Sequence, residues 1–504
     1  MLIIQRKNKW LFEYSGSDEE ILFLQKCLTM KNPNAYFIGQ QSNYDISSDV
    51  LFYKEKDRTI GHGVMEYFLE QVDEQRRKGK DIPNIKINDW IYEEPEIETD
   101  KRLWGHQAQA VKAGLKYKIG TIKIPTRGGK TLVTAELMRQ ILLENPIGRI
   151  VMLIDTVDLF KQTVADIKGF LNCDIGFISA GKMDLSKHIT LAMTQTVTRI
   201  LSTSYKDKKK QAQLRRFIEV TSSLFVDEIH EYTSTKRRSM IKKFKNVDYL
   251  ITLSATPYKS SSPIENLKLK ATIGKIIYEI KESELIEKNV ITESRVFLLL
   301  FNHHKKKINQ DEDSEVTRYH GVRDNLVFMN DKRDMVLINL IQCLEEQNYK
   351  TLVIFSSVKH GKKIESEGGW RFISGTTKSQ EREIVKNEFL LESGKVLLAS
   401  DIFKKGITLP QVEVFINADG GLEDTLIIQR RGRVTGKTKD KDRSLIIDIF
   451  DMFEEYLSEH SENRLSVYEE TNGPDQITGF DTEDKGWLKN VMREVNTWMR
   501  GKRN

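Results

Sequence analysis

Cysteine is scarce: Cys27, Cys173 and Cys343 are the only three in 504 residues, widely spaced and odd in number. That excludes a disulfide framework or a cysteine-rich zinc site as an organising feature. A reducing, cytoplasmic setting is expected. Proline is also rare, at 9 residues, and glycine contributes 30. With 39% of the chain hydrophobic and 30% charged, collagen-like, disordered and low-complexity classes are excluded and several packed cores are expected. No apolar run approaches the roughly 20 residues that span a bilayer. Residues 151–154 and 298–301 are strand-sized instead, so a membrane protein is not expected. The start, MLIIQRKNKW, has three apolar residues followed by charge, too short for a signal peptide. Nor does charge of one sign dominate. The 79 basic and 73 acidic residues leave +6, which permits a polyanionic partner without demanding one.

What is present suggests about three domains. Residues 1–92 read as a small α+β accessory unit. Its segment 2–14 is strand-like with a turn at Asn8, and Ser17-Asp-Glu-Glu20 forms a capping box ahead of a helix over 21–30. A strand pair is expected at 36–38 and 50–53, then a helix over 64–77. Residues 93–100, EEPEIETD, lack apolar periodicity and read as an acidic linker. From 101 to 290, short β-branched runs at 120–124, 149–154, 188–193, 224–226 and 249–253 alternate with amphipathic segments. A second series spans 335–450, with runs at 351–355, 370–373, 395–399, 412–417 and 444–448. Such alternation predicts parallel sheets with helical crossovers. Residues 291–334 read as a connecting segment, with 303–313 (HHKKKINQDED) an exposed loop or hairpin, and 451–504 as a polar, mostly helical tail. The fold class is α/β: two tandem parallel-sheet domains, a small N-terminal α+β domain and a helical C-terminal tail.

Residues 123–131, KIPTRGGKT, follow a β run and open an amphipathic helix over 132–143. A tight turn there points successive N–H groups at a phosphate, and the helix N-terminus adds partial positive charge. Gly128 and Gly129 remove Cβ atoms where backbone must approach oxygen closely. Lys130 would meet the β- and γ-phosphates, and Thr131 would hold Mg²⁺ through its hydroxyl. Position 124, where the G-x-x-x-x-G-K-T pattern has its first glycine, is Ile124, so the form is P-T-x-G-G-K-T. An ordinary strand-to-helix turn is the plain alternative.

Asp227 and Glu228, in LFVDEIH (224–230), come just after a buried-type strand. Strand C-terminal ends face the ligand crevice of an open α/β sheet. There Asp227 could hold Mg²⁺ through water, Glu228 could orient and deprotonate an attacking water, and His230 could report on the γ-phosphate. An Asp-Glu pair after an apolar run is common, and the GKT turn upstream gives it meaning.

With these two motifs in order, the chain resembles the superfamily 2 helicases of the DExH type over roughly residues 103–440. Leu103-Trp-Gly-His-Gln107 resembles an adenine-reading Gln motif, with Gln107 in the key place. Pro125, Thr126, Arg127, Gly128, Gly129, Lys130 and Thr131 then form the ATP-binding loop. Residues 155–162 resemble motif Ia, with Thr156 and Gln162, and Thr194-Gln195-Thr196 resembles motif Ib; both are nucleic-acid contacts in the family. Ser254-Ala255-Thr256 resembles the S-A-T motif that couples hydrolysis to strand movement, and Ser400-Asp401 with Gly406-Ile407 resembles motif V. Gln429-Arg430-Arg431-Gly432-Arg433 resembles motif VI, the source of arginine fingers. The family's second finger would fall at Gly436, with Lys437 next to it. Lysine lacks the planar fork of arginine, so Arg433 is expected to be the finger and Arg430 a helper. The W-x-x-Q spacing, the Pro125-Thr126 pair and the small preceding α+β domain are similar to the phage UvsW-type branch-migration helicases.

The resemblance implies RecA-like domains, with ATP and Mg²⁺ held between them by Gln107, residues 125–131, Asp227, Glu228, His230, Gln429 and Arg433. It also implies a DNA partner (branched, forked or single-stranded), 3′ to 5′ movement and a phage or bacterial source. Two alternatives stay open: the motor of a restriction system or an RNA helicase, and a non-hydrolysing, ATP-gated nucleic-acid clamp. Basic runs at 205–216 and 236–245 read as solvated helix faces or as phosphate contacts. Trp10, Tyr36, Phe37 and Tyr53 read as core or as base-stacking residues, and 60–63 as a strand-to-helix turn or a DNA-contacting tip. Trp487 and Trp498 are expected to pack the tail onto a motor domain.

Overall fold

Alternating burial sets the first sheet. Strand Leu2–Arg6 buries Leu2 and Ile4, and Leu11–Ser15 buries Phe12 and Tyr14. The sheet order is Tyr53–Lys54, Thr59–Gly61, Leu11–Ser15, Leu2–Arg6, Ile85–Asn88. Pairing is antiparallel except for the parallel last pair. Ser17 and Glu20 form the expected capping box, on the helix Asp18–Cys27. Strand Asp49–Leu51 pairs with Thr29–Lys31, and the helix Met65–Arg77 covers the sheet core through Phe68 and Val72.

The computed structural model describes residues 1–32, 49–258, 263–302, 321–391, 395–400, 409, 411–419, 432, 435–438 and 441–501. The strand expected at 36–38, including Tyr36 and Phe37, and the loop 303–313 lie outside them. Contacts divide the chain into two units: Met1–Pro125 with Gly129–Ile280, and Thr126–Gly128 with Lys281–Asn504.

In the first unit the N-terminal sheet shares its core with the helix Pro263–Ile273, through Leu267. The close seam is at Gly63, where an added Cβ would stand 1.9 Å from the Lys270 carbonyl oxygen. Residues 60–63 make the expected strand-to-helix turn, with Ile60 and Gly63 buried and Gly61 and His62 half-buried. Behind this domain lies an eight-stranded sheet in the order Lys182–Asp184, Gly176–Ser179, Ile189–Met193, Ile150–Ile154, Ser223–Asp227, Tyr249–Ser254, Ile119–Lys123, Ile276–Glu279. All pairs but the first are parallel. Ile150–Ile154, Ile189–Met193 and Tyr249–Ser254 are buried at every position, as strands covered on both faces must be.

The second unit holds a seven-stranded, all-parallel sheet: Phe372–Ile373, Val396–Ser400, Thr351–Phe355, Val414–Asn417, Arg443–Asp451, Glu293–Phe301, Ile477–Asp481. Two of these strands fall where the sequence suggested a connection and a helical tail. Glu293–Phe301 pairs with Arg443–Asp451 along all nine residues, and Ile477–Asp481 adds the edge. Between them and beyond run the helices Glu455–Asn472 and Trp487–Arg500. Trp498 is 5% exposed within the sheet core and donates from Nε1 to the Ser444 carbonyl at 3.0 Å, which meets the expectation for the tail. Among the described residues no helix is long and apolar enough to cross a membrane.

Candidate functional site

Three neighbouring strands of the first unit, Ser223–Asp227, Tyr249–Ser254 and Ile119–Lys123, run parallel. Their C-terminal ends therefore point the same way, and the loops that leave them converge. That topology gathers the carboxylate pair, the S-A-T segment and the glycine loop.

Gly129 precedes the helix Lys130–Glu144 in the left-handed region, at φ 85° and ψ 34°. A Cβ on it would stand 2.1 Å from Gln107 Nε2. Glycine is therefore required both by its dihedral and by the approach of Gln107. Gln107 is 3% exposed, on the helix Gly105–Tyr117, and accepts the Trp104 N–H through Oε1 at 2.9 Å. Lys130 Nζ donates to the Ile124 carbonyl at 3.4 Å and lies 3.9 Å from Glu228 Oε1. Thr131, in the first helical turn, is half-buried. Pro125, Thr126 and Arg127 are half-buried and Gly128 is buried.

Glu228 turns the chain out of its strand in the left-handed region (φ 47°, ψ 60°). A non-glycine residue held there stores strain, which is common at functional sites. Its N–H donates to Asp227 Oδ1 at 3.0 Å. Burial, then the adjacent Glu228 charge, raises the Asp227 carboxyl above its usual range, against the pull of Lys130. Ser254 Oγ donates to Glu228 Oε2 at 3.3 Å, faces His230 Nδ1 at 3.1 Å and accepts the Thr256 N–H at 3.1 Å. His230 is 3% exposed, and its Nε2 lies 3.5 Å from Glu231 Oε1. Both ring nitrogens thus face protein groups. Ala255 is buried beneath the turn.

The expected nucleic-acid contacts divide. Gln162 and Gln195 are exposed, and Thr156 is half-buried ahead of the helix Val157–Leu171. Thr194 is wholly buried; its hydroxyl donates to the Ile154 carbonyl at 3.1 Å and lies 2.6 Å from the Tyr232 hydroxyl. Its side chain thus packs inward, away from solvent. Asp401, Gly406, Gln429, Arg430 and Arg433 lie outside the described residues. Lys437 pairs with Asp442 at 3.2 Å.

Sequence reasoning missed Arg237. It sits in the basic run 236–245, yet reaches Asp155 Oδ1 at 2.9 Å and the Glu231 carbonyl at 2.7 Å. Arg238 of the same run pairs with Glu265 at 2.6 Å. Only the carboxylate partners, distant in sequence, separate such arginines from solvated ones. In the other run, the helix Lys208–Glu219 buries Leu214, Phe217 and Ile218 and turns its charges outward.

A half-buried lysine, a carboxylate and a bare helix N-terminus together suit a polyphosphate and the activation of a water against it. For a divalent cation, the Thr131 hydroxyl and the Asp227 carboxylate are hard oxygen donors of the fitting kind. Among the described residues no group of three or more His, Cys, Asp or Glu is placed to hold a metal. A cation here would take its other ligands from phosphate and water.

Comparison with known proteins agrees with this geometry. Residues 100–259 match the family model described as "Type III restriction enzyme, res subunit", and residues 332–437 match "Helicase conserved C-terminal domain". The chain is 24% identical over 405 residues to "ATP-dependent DNA helicase uvsW" of Enterobacteria phage T4, covering 75% of each. It is 24% identical over 458 residues to "DNA 3'-5' translocase XPB2" of Sulfurisphaera tokodaii, covering 82% of this chain and 93% of the relative. In fold it is similar to S. cerevisiae Dbp5 bound to RNA and ADP BeF3, with TM-score 0.53 and 17% identity, covering 78% of this chain and 93% of that one.

Proposed function

The chain belongs to the superfamily 2 helicases, and from that premise we propose that it is an ATP-driven DNA helicase or translocase acting on branched or forked DNA. The observation that carries the reading is the meeting of Lys130, Glu228 and Ser254 at the ends of three adjacent strands. Two relatives named as a DNA helicase and a DNA 3′–5′ translocase support the choice of substrate and a 3′ to 5′ polarity.

In the proposed mechanism, Gln107 reads the adenine, the backbone of 125–131 cradles the phosphates and Lys130 neutralises them. Thr131 and Asp227 are the residues that would hold Mg²⁺, and the ion would supply charge neutralisation at the phosphates. Its charge would also favour the ionised form of Asp227, which burial alone disfavours. Glu228 accepts the proton of the attacking water, and Ser254 carries the state of Glu228 to Thr256 and the S-A-T turn. Arg433 is the proposed finger for charge developing on the γ-phosphate, with Gln429 and Arg430 beside it. Asp401 and Gly406 are proposed to couple the cycle to the strand, and Thr156, Gln162 and Gln195 to touch it. The setting on this reading is cytoplasmic.

ATPase rates with single-stranded DNA, a fork, a Holliday junction and RNA test the proposal. Branched or forked DNA should stimulate most. Stimulation by RNA alone, or ATP binding without hydrolysis, would overturn it. The restriction-subunit description of the first family model favours a second reading, a translocating motor of a restriction system. That reading requires co-purification with a nuclease or methyltransferase.

A further inference from the structure

A cavity of about 720 Å³ opens in the first unit, where the N-terminal sheet meets the helices Thr235–Ile241 and Pro263–Ile273. None of the phosphate-loop or carboxylate residues lines it. Its size falls in the range of ligand pockets. Trp10 and Tyr53, both half-buried, give it aromatic walls. The lining includes Lys54, Arg238, Lys242, Lys245 and Lys268 and, among the described residues, no carboxylate.

Part of this charge is neutralised from outside the cavity. Glu265 pairs with Arg238 at 2.6 Å and with Lys268 at 2.7 Å. Lys54, Lys242 and Lys245 show no ion pair among the described residues. Partial desolvation at the exposed rim, then the charges of Arg238 and Lys54, lowers the pKa of the Lys242 ammonium. A fold that concentrates like charge without a counter-ion leaves a place for an anion.

We propose that this cavity takes an unpaired base of a nucleic-acid strand, with the flanking phosphates on the lysine rim. It is a second strand contact, separate from the loops that follow the sheet strands. The inference rests on the nucleic-acid reading above and deepens it by naming the form of substrate held. Three features select this occupant. Aromatic walls offer stacking to any base, because every base has a π-face. The three unneutralised groups are lysines, hydrated point charges that suit successive phosphates better than one fixed fork. A carboxylate or a single headgroup would satisfy one cation and leave the others facing one another. A junction, with strands parted, presents the unpaired bases that such a pocket needs.

The test uses the full chain. Single-stranded DNA carrying 4-thiothymidine is photocrosslinked to the parental protein, and affinity is measured by anisotropy over a series of salt concentrations. The same is done for the exposed double variant Lys242→Ala/Lys245→Ala and for Tyr53→Leu. Crosslinks at Trp10 or Tyr53 are expected. The double variant should lower the slope of log affinity against log salt by about 1.4, since each phosphate contact to a single strand contributes about 0.7. Its ATPase without nucleic acid should stay parental. Tyr53→Leu should weaken single-strand binding more than duplex binding and leave the salt slope unchanged. Parental slopes with crosslinks confined to other segments would overturn the inference and leave the helicase reading standing, provided DNA still stimulates hydrolysis. Parental protein that binds no nucleic acid would overturn both. Tighter binding to anionic lipid vesicles than to DNA would replace the proposed occupant.

Discussion

Replacing Glu228 by Gln keeps the shape of the side chain and removes its charge and basicity. The amide oxygen still accepts the Ser254 hydroxyl, now 3.3 Å from Oε2, so the turn should hold. Two effects follow. The proton of the attacking water loses its acceptor, which costs about 10²–10⁴ in rate for a general base. Lys130 also loses a carboxylate 3.9 Å away, with the two side chains 15% and 19% exposed. At that distance the attraction is about 1 kcal/mol in water and about 4 kcal/mol at an effective dielectric of 20. Desolvation offsets much of the larger figure, so a net of about 1 kcal/mol is expected. Lys130, released, would favour bound phosphate by that amount, about fivefold tighter ATP. Titration with a fluorescent ATP analogue, beside phosphate release with saturating single-stranded DNA, reads both effects. Turnover should fall at least a hundredfold while nucleotide affinity holds or rises. Hydrolysis at the parental rate would refute the assignment of Glu228. Loss of nucleotide binding would refute the geometry that sets it against Lys130.

Two further outcomes test the scaffold. Burial, then the charges of Arg6 and Lys275, lowers His62 to a pKa of about 3, while an unfolded histidine titrates near 6.5. Between those values the unfolded chain binds the extra proton, so stability rises with pH there and is lost on acidification; about 1–2 kcal/mol should be gone by pH 5. Thermal unfolding of His62→Gln should be less pH-dependent across that window than the parental protein. In the second unit Arg464 and Asp448, each 1% exposed, pair at 3.0 Å, and Tyr468 donates its hydroxyl to Asp448 at 2.7 Å. Arg464→Ala leaves a buried carboxylate without its cation and should cost about 3–5 kcal/mol, read as a lowered denaturation midpoint of the unit containing the helix Glu455–Asn472.

Much of the fold was legible in the chain. The five runs expected in each α/β series are strands, because buried parallel strands need continuous apolar segments and turn residues interrupt them. The Ser17–Glu20 box was legible because capping is settled within four residues. Glu293–Phe301 and Ile477–Asp481 were not. The first is as apolar as its neighbours, but it belongs to the second sheet only through pairing with Arg443–Asp451. The second has weak apolar content and gains its place from the edge that the first provides. At the site, the spacing of Gly129, Lys130, Asp227 and Glu228 relative to their strands was enough to expect them at one end of the first sheet. The inward packing of Thr194 was not legible, because its motif position says nothing of the Tyr232 hydroxyl that it meets. Arg237 was missed because one cation in a basic run looks like the next until its carboxylate is located.

The order of residues determined which segments become strands and what each loop carries, since hydrophobic period, capping and loop chemistry are local properties. Which loops become neighbours was decided only by the tertiary structure. Ser223–Asp227, Tyr249–Ser254 and Ile119–Lys123 lie side by side and run the same way. Their ends therefore bring Glu228, Ser254 and Lys130 within a few ångströms of one another, although no local rule of the chain relates them. The physical reason is that parallel pairing needs long crossover connections, and sheet order is settled by how those crossovers pack rather than by the strands they join.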